Sequence, residues 1–536
     1  MRDYNNYIIL YLSLILLILV STLIKYYPLP YNYSTMPGQF GGGLAFFEKF
    51  AIKEGRLLER GELGVYSIYS FSIYGQDENP GYALLRVIIS LVTDLEIYTW
   101  NFAILFTIVT YVIYLSSILL FLKRKNTLMI ILCAFYSILA YPYITNGISA
   151  NRGICWYLII LLIYILTNYY DKINNKLKII FIFLSFLLPI IYWTPSAFFL
   201  LFIIWLAISP IKVDFKDIKY LALVYAIFFL SWNIYISFGR FQGPILLIQD
   251  FRKFLENIIC LNLYNYLYGP GSAGIPRYIY CTSLLNKLRL LLPAVFVAIP
   301  VLHFTFLKIY NKRFNKSEKI IFNYILSVGI LSFFLFVKKG VYGLQRLQEW
   351  GTLASILVIS KIYSENNNIS KFIIILIILT IVFSAIANIM NENKELGWIS
   401  YKESVTIRWI ITNSNNSIIF TDLRLAGGLI SCGYLKVTGI TESLPINKFI
   451  NMIEDIYYNP IKDPLHSLIR IRLYNGQKIN TILFSKRMEY INGVKAYDYT
   501  LKPIKYNFLR KYYIHSKINV IYNNKEGYIL YLNLYR

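Results

Sequence analysis

The stretch MPGQFGGGLAFFEKFAIKEGRLLERGE, Met36 to Glu62, decides how the rest of the chain is read. It follows the first long apolar run, Tyr7–Ile24, opens with glycines, and continues as a short helix, Leu44–Glu54, that Gly55 closes. It then turns charged. A chain of this hydropathy interrupts its apolar runs only where a structure is built outside the bilayer.

The hydropathy follows from composition. Of 536 residues, 57% are hydrophobic and 15% charged, and the mean hydropathy is +0.52. A soluble domain has no means of burying that much apolar surface, so lipid is the solvent for most of it. The net charge of +25 does not mark a nucleic-acid binder, because the basic residues sit in short clusters between apolar runs. That is the distribution of a polytopic membrane protein held by cytoplasmic Lys and Arg. Five cysteines without a CxxC pair give no zinc or redox motif, and His303, His466 and His515 are too scattered for a metal cluster. The N-terminal run lacks a small-residue cleavage site and is longer than a signal peptide's apolar region, so it is expected to be retained as a span.

A helix crossing ~30 Å of hydrocarbon needs about 20 residues. About eleven apolar runs, some shorter than this and bounded only roughly by composition, are the candidates: Tyr7–Ile24, Tyr98–Leu122, Thr127–Tyr143, Ile154–Asn168, Ile179–Trp193, Ala197–Ile211, Tyr220–Ile236, Leu290–Ile309, Ile320–Val337, Leu347–Ile362 and Phe372–Met390. The loops Lys123–Lys125, Asp171–Lys178, Ile211–Lys219 and Asn311–Lys319 are all basic and all fall on one side. The positive-inside rule makes that side the cytoplasm, with the N-terminus inside and everything after Met390 outside. One loop disagrees: KKGVYGLQR, Lys338–Arg346, is basic and outward.

Asn79–Leu95 (NPGYALLRVIISLVTDL) is apolar but contains Arg86 and is stopped by Asp94. At about 15 residues it reaches only ~22 Å, and counting it as a span would invert the charge pattern of the loops downstream. Pro80 suits a first helical position, so an interfacial or half-inserted helix on the outer face is expected. The first outer loop then runs over residues 25–97, a length usually kept for function. Residues 1–390 form the polytopic part, and 391–536 read as a soluble α/β domain. In that domain Ser404–Ser414 and Ile446–Tyr458 have helical spacing, Ser417–Asp422 and Ile479–Arg487 read as strands, and Ile518–Tyr535 reads as a hairpin. Asp422 is expected to cap a helix. Asn32-Tyr33-Ser34 and Asn415-Asn416-Ser417 are glycosylation sequons of low specificity. Cys260 and Cys281 share an outer loop in which a disulfide is an open question, and the tyrosines of Leu263–Tyr280 read best as an aromatic belt.

The fold class is therefore a membrane all-α protein of about eleven helices, with a large outer first loop and a small C-terminal α/β domain. This layout resembles the GT-C superfamily, membrane glycosyltransferases that use polyprenyl-phosphate-linked sugars on the non-cytoplasmic face. Three local patterns add to the likeness. PGQFGGGLAFFEKFAIKEGRL (Pro37–Leu57) is similar to the family's acid, helix and E-G-x-L pattern. NPGYALL (Asn79–Leu85) is similar to its proline-initiated juxtamembrane helix. Arg346 in QRLQEWGTLASILVI looks like the basic residue before a late span. The resemblance implies a lipid-linked sugar donor as partner, and it implies lipid-phosphate binding near Arg346. One departure stands out: Gln39-Phe40-Gly41-Gly42-Gly43 occupies the place where the family carries an Asp or Glu.

Such transfer needs a base for the acceptor hydroxyl and positive charge for the departing phosphate. The carboxylates available are Glu48, Asp77 and Glu78. Glu48 lies between Leu44 and Ile52 on an apolar helix face, where burial raises a carboxyl's pKa and suits a base; snorkelling, or pairing with Lys49 or Lys53, is the favoured reading. Asp77 and Glu78 precede a helix N-terminus, where capping alone explains an anion. On the phosphate side stand Lys338, Lys339 and Arg346, the cluster that breaks the charge rule; attraction to anionic headgroups is the alternative. No metal ligands are assigned, and the cofactor stays open, a divalent metal being the substitute for Arg or Lys at the phosphate. Asn151-Arg152, in another outer loop, reads as a cavity residue or an interface anchor. The rival function is a non-catalytic membrane scaffold or lipid/glycan-binding relative, favoured by the missing acid. Transport ranks last, since the spans carry almost no charge.

Overall fold

The computed structural model describes residues 2–26, 29, 33–37, 41–56, 80–120, 127–139, 150–169, 175–211, 218–235, 252, 256, 284–311, 314–339, 341–363, 371–389, 398–413, 418–434, 437–438, 453, 457, 479–490, 495–496, 499–500, 504, 518–525 and 527–532. Helix α1 (Arg2–Tyr26) is followed by a short strand, β1 (Tyr33–Pro37), and by α2 (Gly41–Glu54) and α3 (Gly81–Thr93) of the first loop. Ten long helices come next: α4 (Trp100–Leu119), α5 (Thr127–Leu139), α6 (Asn151–Tyr169), α7 (Asn175–Ile191), α8 (Trp193–Ile208), α9 (Ile218–Tyr235), α10 (Leu284–Asn311), α11 (Lys316–Lys339), α12 (Val341–Leu357, extended by a π-helical turn over Val358–Tyr363) and α13 (Lys371–Ile389).

Each of the eleven apolar windows overlaps one of these helices. Among the described residues, two segments, Ile8–Tyr26 and Trp100–Leu119, are long and apolar enough to qualify as spans by themselves. The others are shorter or more polar, yet qualifying and non-qualifying helices alike turn one apolar face outward. α1 exposes Leu12, Leu16, Leu19 and Leu23, α9 exposes Tyr220, Leu223, Ile227 and Leu230, and α13 exposes Ile375, Ile378, Val382 and Ile386. These sets recur at three- and four-residue spacing, so each is one outward face. Water would penalise such faces, whereas hydrocarbon does not.

Local signals start and stop the loop helices as the sequence suggests. Pro80 precedes α3, and Asp94 ends it in the left-handed region at φ 54°. Thr99 caps α4 by accepting from Phe102 N at 3.2 Å. Gly55, at φ +66°, closes α2 with its N–H donating to Ala51 O at 3.0 Å. The glycine run Gly41–Gly43 is the first turn of α2 rather than a linker before it, so the helix is longer than Leu44–Glu54.

Contacts distinguish the two ends of the helical bundle. At the first, Tyr26 closes α1 with its hydroxyl 2.7 Å from Thr107 Oγ1 and its ring 6.0 Å from Trp100. A Cβ on Gly81 would lie 3.0 Å from Ile191 Cγ1, so α3 enters against the last turn of α7. At the second end Ser317 Oγ donates to Thr167 O (3.3 Å), Asn323 Nδ2 donates to Ile211 O (3.3 Å), and Lys308 pairs with Glu318 at 2.6 Å. α11 therefore starts at the second end and returns to the first, where α12 begins.

The C-terminal part contains β2 (Trp398–Ser400), α14 (Tyr401–Asn413), β3 (Ile418–Phe420), α15 (Leu423–Ser431), β4 (Val437–Thr438), β5 (Ile479–Ser485), α16 (Arg487–Tyr490), a small ladder of β6 (Lys495–Ala496) with β7 (Tyr499–Thr500), and the hairpin β8 (Ile518–Asn523) and β9 (Gly527–Leu532). Its five-stranded sheet runs β4-β3-β5-β9-β8, parallel among the first three and antiparallel thereafter. Asp422 caps α15 by accepting from Leu425 N at 3.0 Å. The helix expected over Ile446–Tyr458 lies almost wholly outside the described residues.

Under the sheet sits a buried polar node. Glu403 Oε1 accepts from Arg424 Nη2 (2.8 Å) and Ser485 Oγ (2.5 Å), and Oε2 accepts from Arg487 Nη1 (3.0 Å) and Ser400 N (2.8 Å). Burial opposes ionisation of this carboxyl, but Arg424, Arg487 and the hydrogen bonds outweigh it and hold the group below its ordinary 4.5. The stability it contributes is thus full above that ordinary value and is lost as pH falls through the lower folded one. Thermal unfolding of the full chain between about pH 7 and about pH 3 should show this loss. Glu403→Gln should abolish that pH component and cost about 3–5 kcal/mol at neutral pH, because two buried guanidinium groups lose their anion.

Candidate functional site

Glu48 is the residue on which the first loop converges. Its position on α2 aims it away from water, and it is fully buried, at 0% exposure. Its partner is neither Lys49 nor Lys53 but Arg86, from the middle of α3: Arg86 Nε donates to Glu48 Oε1 at 2.7 Å. Tyr98 OH donates to Oε2 at 2.5 Å. Burial pushes the Glu48 carboxyl up, while Arg86 and the two hydrogen bonds pull it back. Arg86 in turn lies over Phe102 (5.3 Å), Phe106 (5.4 Å) and Tyr82 (5.8 Å), so aromatic faces take up charge that the carboxylate leaves uncovered. Both oxygens of Glu48 are committed, which suits a structural anion better than a base that must accept a substrate proton.

The neighbouring residue on α2 reaches the opposite way. Lys49 Nζ donates to Ser431 O at 3.0 Å, at the carbonyl end of α15, where the helix dipole favours a cation. The same ammonium sits 4.8 Å above the ring of Tyr98. β1 pairs antiparallel with β2, with Tyr33 opposite Ser400 and Pro37 opposite Trp398, and Ser34 Oγ donates to Ile399 O at 2.9 Å. Arg487 donates to Trp398 O (3.0 Å) and lies 4.7 Å over the Tyr33 ring. Trp398 packs on Trp100, 4.8 Å between centroids. The first loop and the C-terminal sheet domain are therefore joined at one end of the bundle.

The basic cluster sits at that same end. Lys338 and Lys339 finish α11, and Arg346 lies in the second turn of α12, after the return from the Ser317 end. Three residues beyond Arg346, the buried Glu349 forms an ion pair with Arg152 at the start of α6. Sequence reading singled out Arg152 but missed Glu349, although a lone acid inside the window Leu347–Ile362 was a usable signal. It likewise flagged Arg86 as an anomaly in an apolar helix without finding its partner. Asp77, Glu78, Gln39, Cys260 and Cys281 lie outside the described residues. Arg252 makes an exposed pair with Glu256 at 2.9 Å. Among the described residues no group of three or more His, Cys, Asp or Glu is placed to hold a metal.

No protein-family model matches the sequence, and no curated protein matches it. Solved structures do match in fold. The oligosaccharyltransferase AglB of Archaeoglobus fulgidus, solved with an inhibitory peptide and a dolichol-phosphate, superposes with a TM-score of 0.55 at 9% identity, covering 90% of this chain and 70% of its own. ArnT of Cupriavidus metallidurans in the apo state superposes with a TM-score of 0.52 at 9% identity, covering 98% of each chain. ArnT bound to undecaprenyl phosphate gives 0.50 at 9% identity over 98% of this chain and 97% of its own. At 9% identity the likeness is one of fold, and the coarse fold expected from the sequence, mostly helical with a small C-terminal sheet domain, is in keeping with it.

The Glu48–Arg86 pair makes a direct prediction. Glu48→Ala strands a buried guanidinium and should cost about 3–5 kcal/mol. Lys49→Ala, which removes one partly exposed charged hydrogen bond, should cost only about 1–2 kcal/mol. Thermal unfolding of the purified protein in detergent checks the ranking; equal costs would contradict the assignment of Glu48 as the anchor.

Proposed function

We propose that this GT-C-fold chain is a membrane glycosyltransferase that moves a sugar from a polyprenyl-phosphate donor at the extracytoplasmic face. The observation that carries the reading is fold likeness over nearly the whole chain to ArnT solved with undecaprenyl phosphate, joined by likeness to AglB solved with a dolichol-phosphate. The orientation rests on the basic loops at the Ser317 end, which the positive-inside rule assigns to the cytoplasm, together with eleven crossings. The loop end, with the C-terminal domain of residues 391–536, then faces outward.

In this reading the bond between the sugar's anomeric carbon and the phosphate oxygen breaks, the acceptor oxygen takes its place, and the acceptor's proton passes to a carboxylate. Asp77 or Glu78, just ahead of α3, supplies that base. Glu48 keeps α2 against α3 and acts by positioning. Lys338, Lys339 and Arg346 stabilise the phosphate as it leaves, Arg346 foremost because a guanidinium fits phosphate oxygens bidentately. A divalent metal is a further possibility that Asp77 and Glu78 suit by ligand type. The second reading, a non-catalytic lipid- or glycan-binding scaffold, is supported by one feature: Gln39 and three glycines stand where an acid would follow the first span.

The test is sugar release from a panel of polyprenyl-phosphate sugars by the purified full chain. We expect turnover with at least one donor. Loss of the base, Asp77→Ala or Glu78→Ala, should slow it about 10²–10⁴-fold. Arg346→Ala should slow it about 10²–10³-fold by removing charge stabilisation. A folded protein inert toward every donor would favour the scaffold reading.

A further inference from the structure

The face of the C-terminal domain formed by α14 and β8 is built from residues that a water-facing surface does not need. Tyr401 and Val405, one helical turn apart, are 50% and 52% exposed, and Ile521 on β8 is 45% exposed. Trp409, one turn beyond Val405, stacks on Tyr522 with centroids 4.9 Å apart. α14 packs directly on the hairpin that β8 opens: Asn524 Nδ2 donates to Lys402 O at 2.8 Å and to Thr406 Oγ1 at 3.0 Å, and a Cβ on Gly527 would collide with Thr406. Lys402, Arg408 and Lys525 are exposed, and no exposed acid accompanies them among the described residues of α14, β8 and the turn after β8, with Glu526 of that turn outside the described residues.

Location gives the patch its partner. α14 begins directly after β2, whose Trp398 packs on Trp100, the residue that opens the span Trp100–Leu119. The Tyr401 end of the patch therefore starts where a membrane helix leaves the hydrocarbon. Aromatic and branched apolar side chains interleaved with Lys and Arg are the composition of surfaces that settle into the headgroup region of anionic bilayers. We propose that the α14–β8 face rests on an anionic lipid surface beside the bundle and acts as a membrane footprint for the C-terminal domain. The inference stands whether or not the chain transfers sugar. It gives the domain a second attachment, through Tyr401, Val405, Trp409 and Ile521 for the apolar part and Lys402, Arg408 and Lys525 for the charged part.

The test uses the full chain in nanodiscs, with Cys260, Cys281 and Cys432 replaced by Ser and a nitroxide attached at Val405→Cys or, separately, at Ile521→Cys. Cys133 and Cys155 are buried and stay unlabelled. In discs containing phosphatidylglycerol, collision with dissolved oxygen should exceed collision with a water-soluble nickel complex at both positions. Lys402→Gln/Arg408→Gln/Lys525→Gln, or discs of phosphatidylcholine alone, should lower that ratio at least ~2-fold. Matching thermal transitions before and after labelling show that the variants are folded. Labels as accessible to nickel as a loop in bulk water, with either lipid, would overturn the proposal. So would labels that stay water-exposed in lipid but are immobilised by a soluble acidic oligosaccharide, since the face would then take glycan instead.

Discussion

A buried carboxylate needs a cation, and here the need is met across 38 residues of sequence by Arg86. Removing Glu48 and Arg86 from water is expensive, and their mutual attraction offsets the cost only with good geometry and satisfied neighbours. Tyr98 supplies the second hydrogen bond, and Tyr82, Phe102 and Phe106 enclose the guanidinium. Apolar side chains of similar volume would fill the same space, but they would not fix a register between α2 and α3. The ion pair does, since a small slip of either helix leaves a charge unpaired in an apolar setting.

That fixed register makes α2 a bracket. Glu48 grips α3, and Lys49, one residue on, grips the carbonyl end of α15. The β1–β2 ladder adds a second link, and Arg487 ties it into the Glu403 node through Trp398 O and the Tyr33 ring. The sheet domain is thereby referenced to the end of the bundle where α11 closes and α12 opens, the end that carries Lys338, Lys339 and Arg346. The basic stretch Lys338–Arg346 thus shares an end with a built, multiply anchored structure.

Much of this was legible in the sequence, and the rest was not for identifiable reasons. Each apolar window overlaps a helix among the described residues, because long apolar runs declare themselves by composition. The β-branched and aromatic residues of Ile479–Ser485 declared β5, the run Ile518–Tyr535 declared the β8–β9 hairpin, and Asp422 declared its cap. The burial of Glu48 followed from helical geometry, but its partner did not, because nothing local links residue 48 to residue 86. β1 was invisible for the same reason. Tyr33–Pro37 is short and ends in proline, and it becomes a strand only because β2, from the far end of the chain, lies beside it. Glu349 needed only closer attention to a single acid in an apolar window, whereas its pairing with Arg152 needed coordinates.

The central claim is that the first loop, the basic turn at α11–α12 and the sheet domain face one aqueous compartment opposite the Ser317 end. Single cysteines at Lys53, Arg346 and Lys525, with another at Lys316, probed in intact cells by a membrane-impermeant thiol reagent, test it most directly. The account predicts that the first three react from outside and that the fourth reacts only after permeabilisation. Reaction of position 346 together with position 316, rather than with 53 and 525, would contradict it.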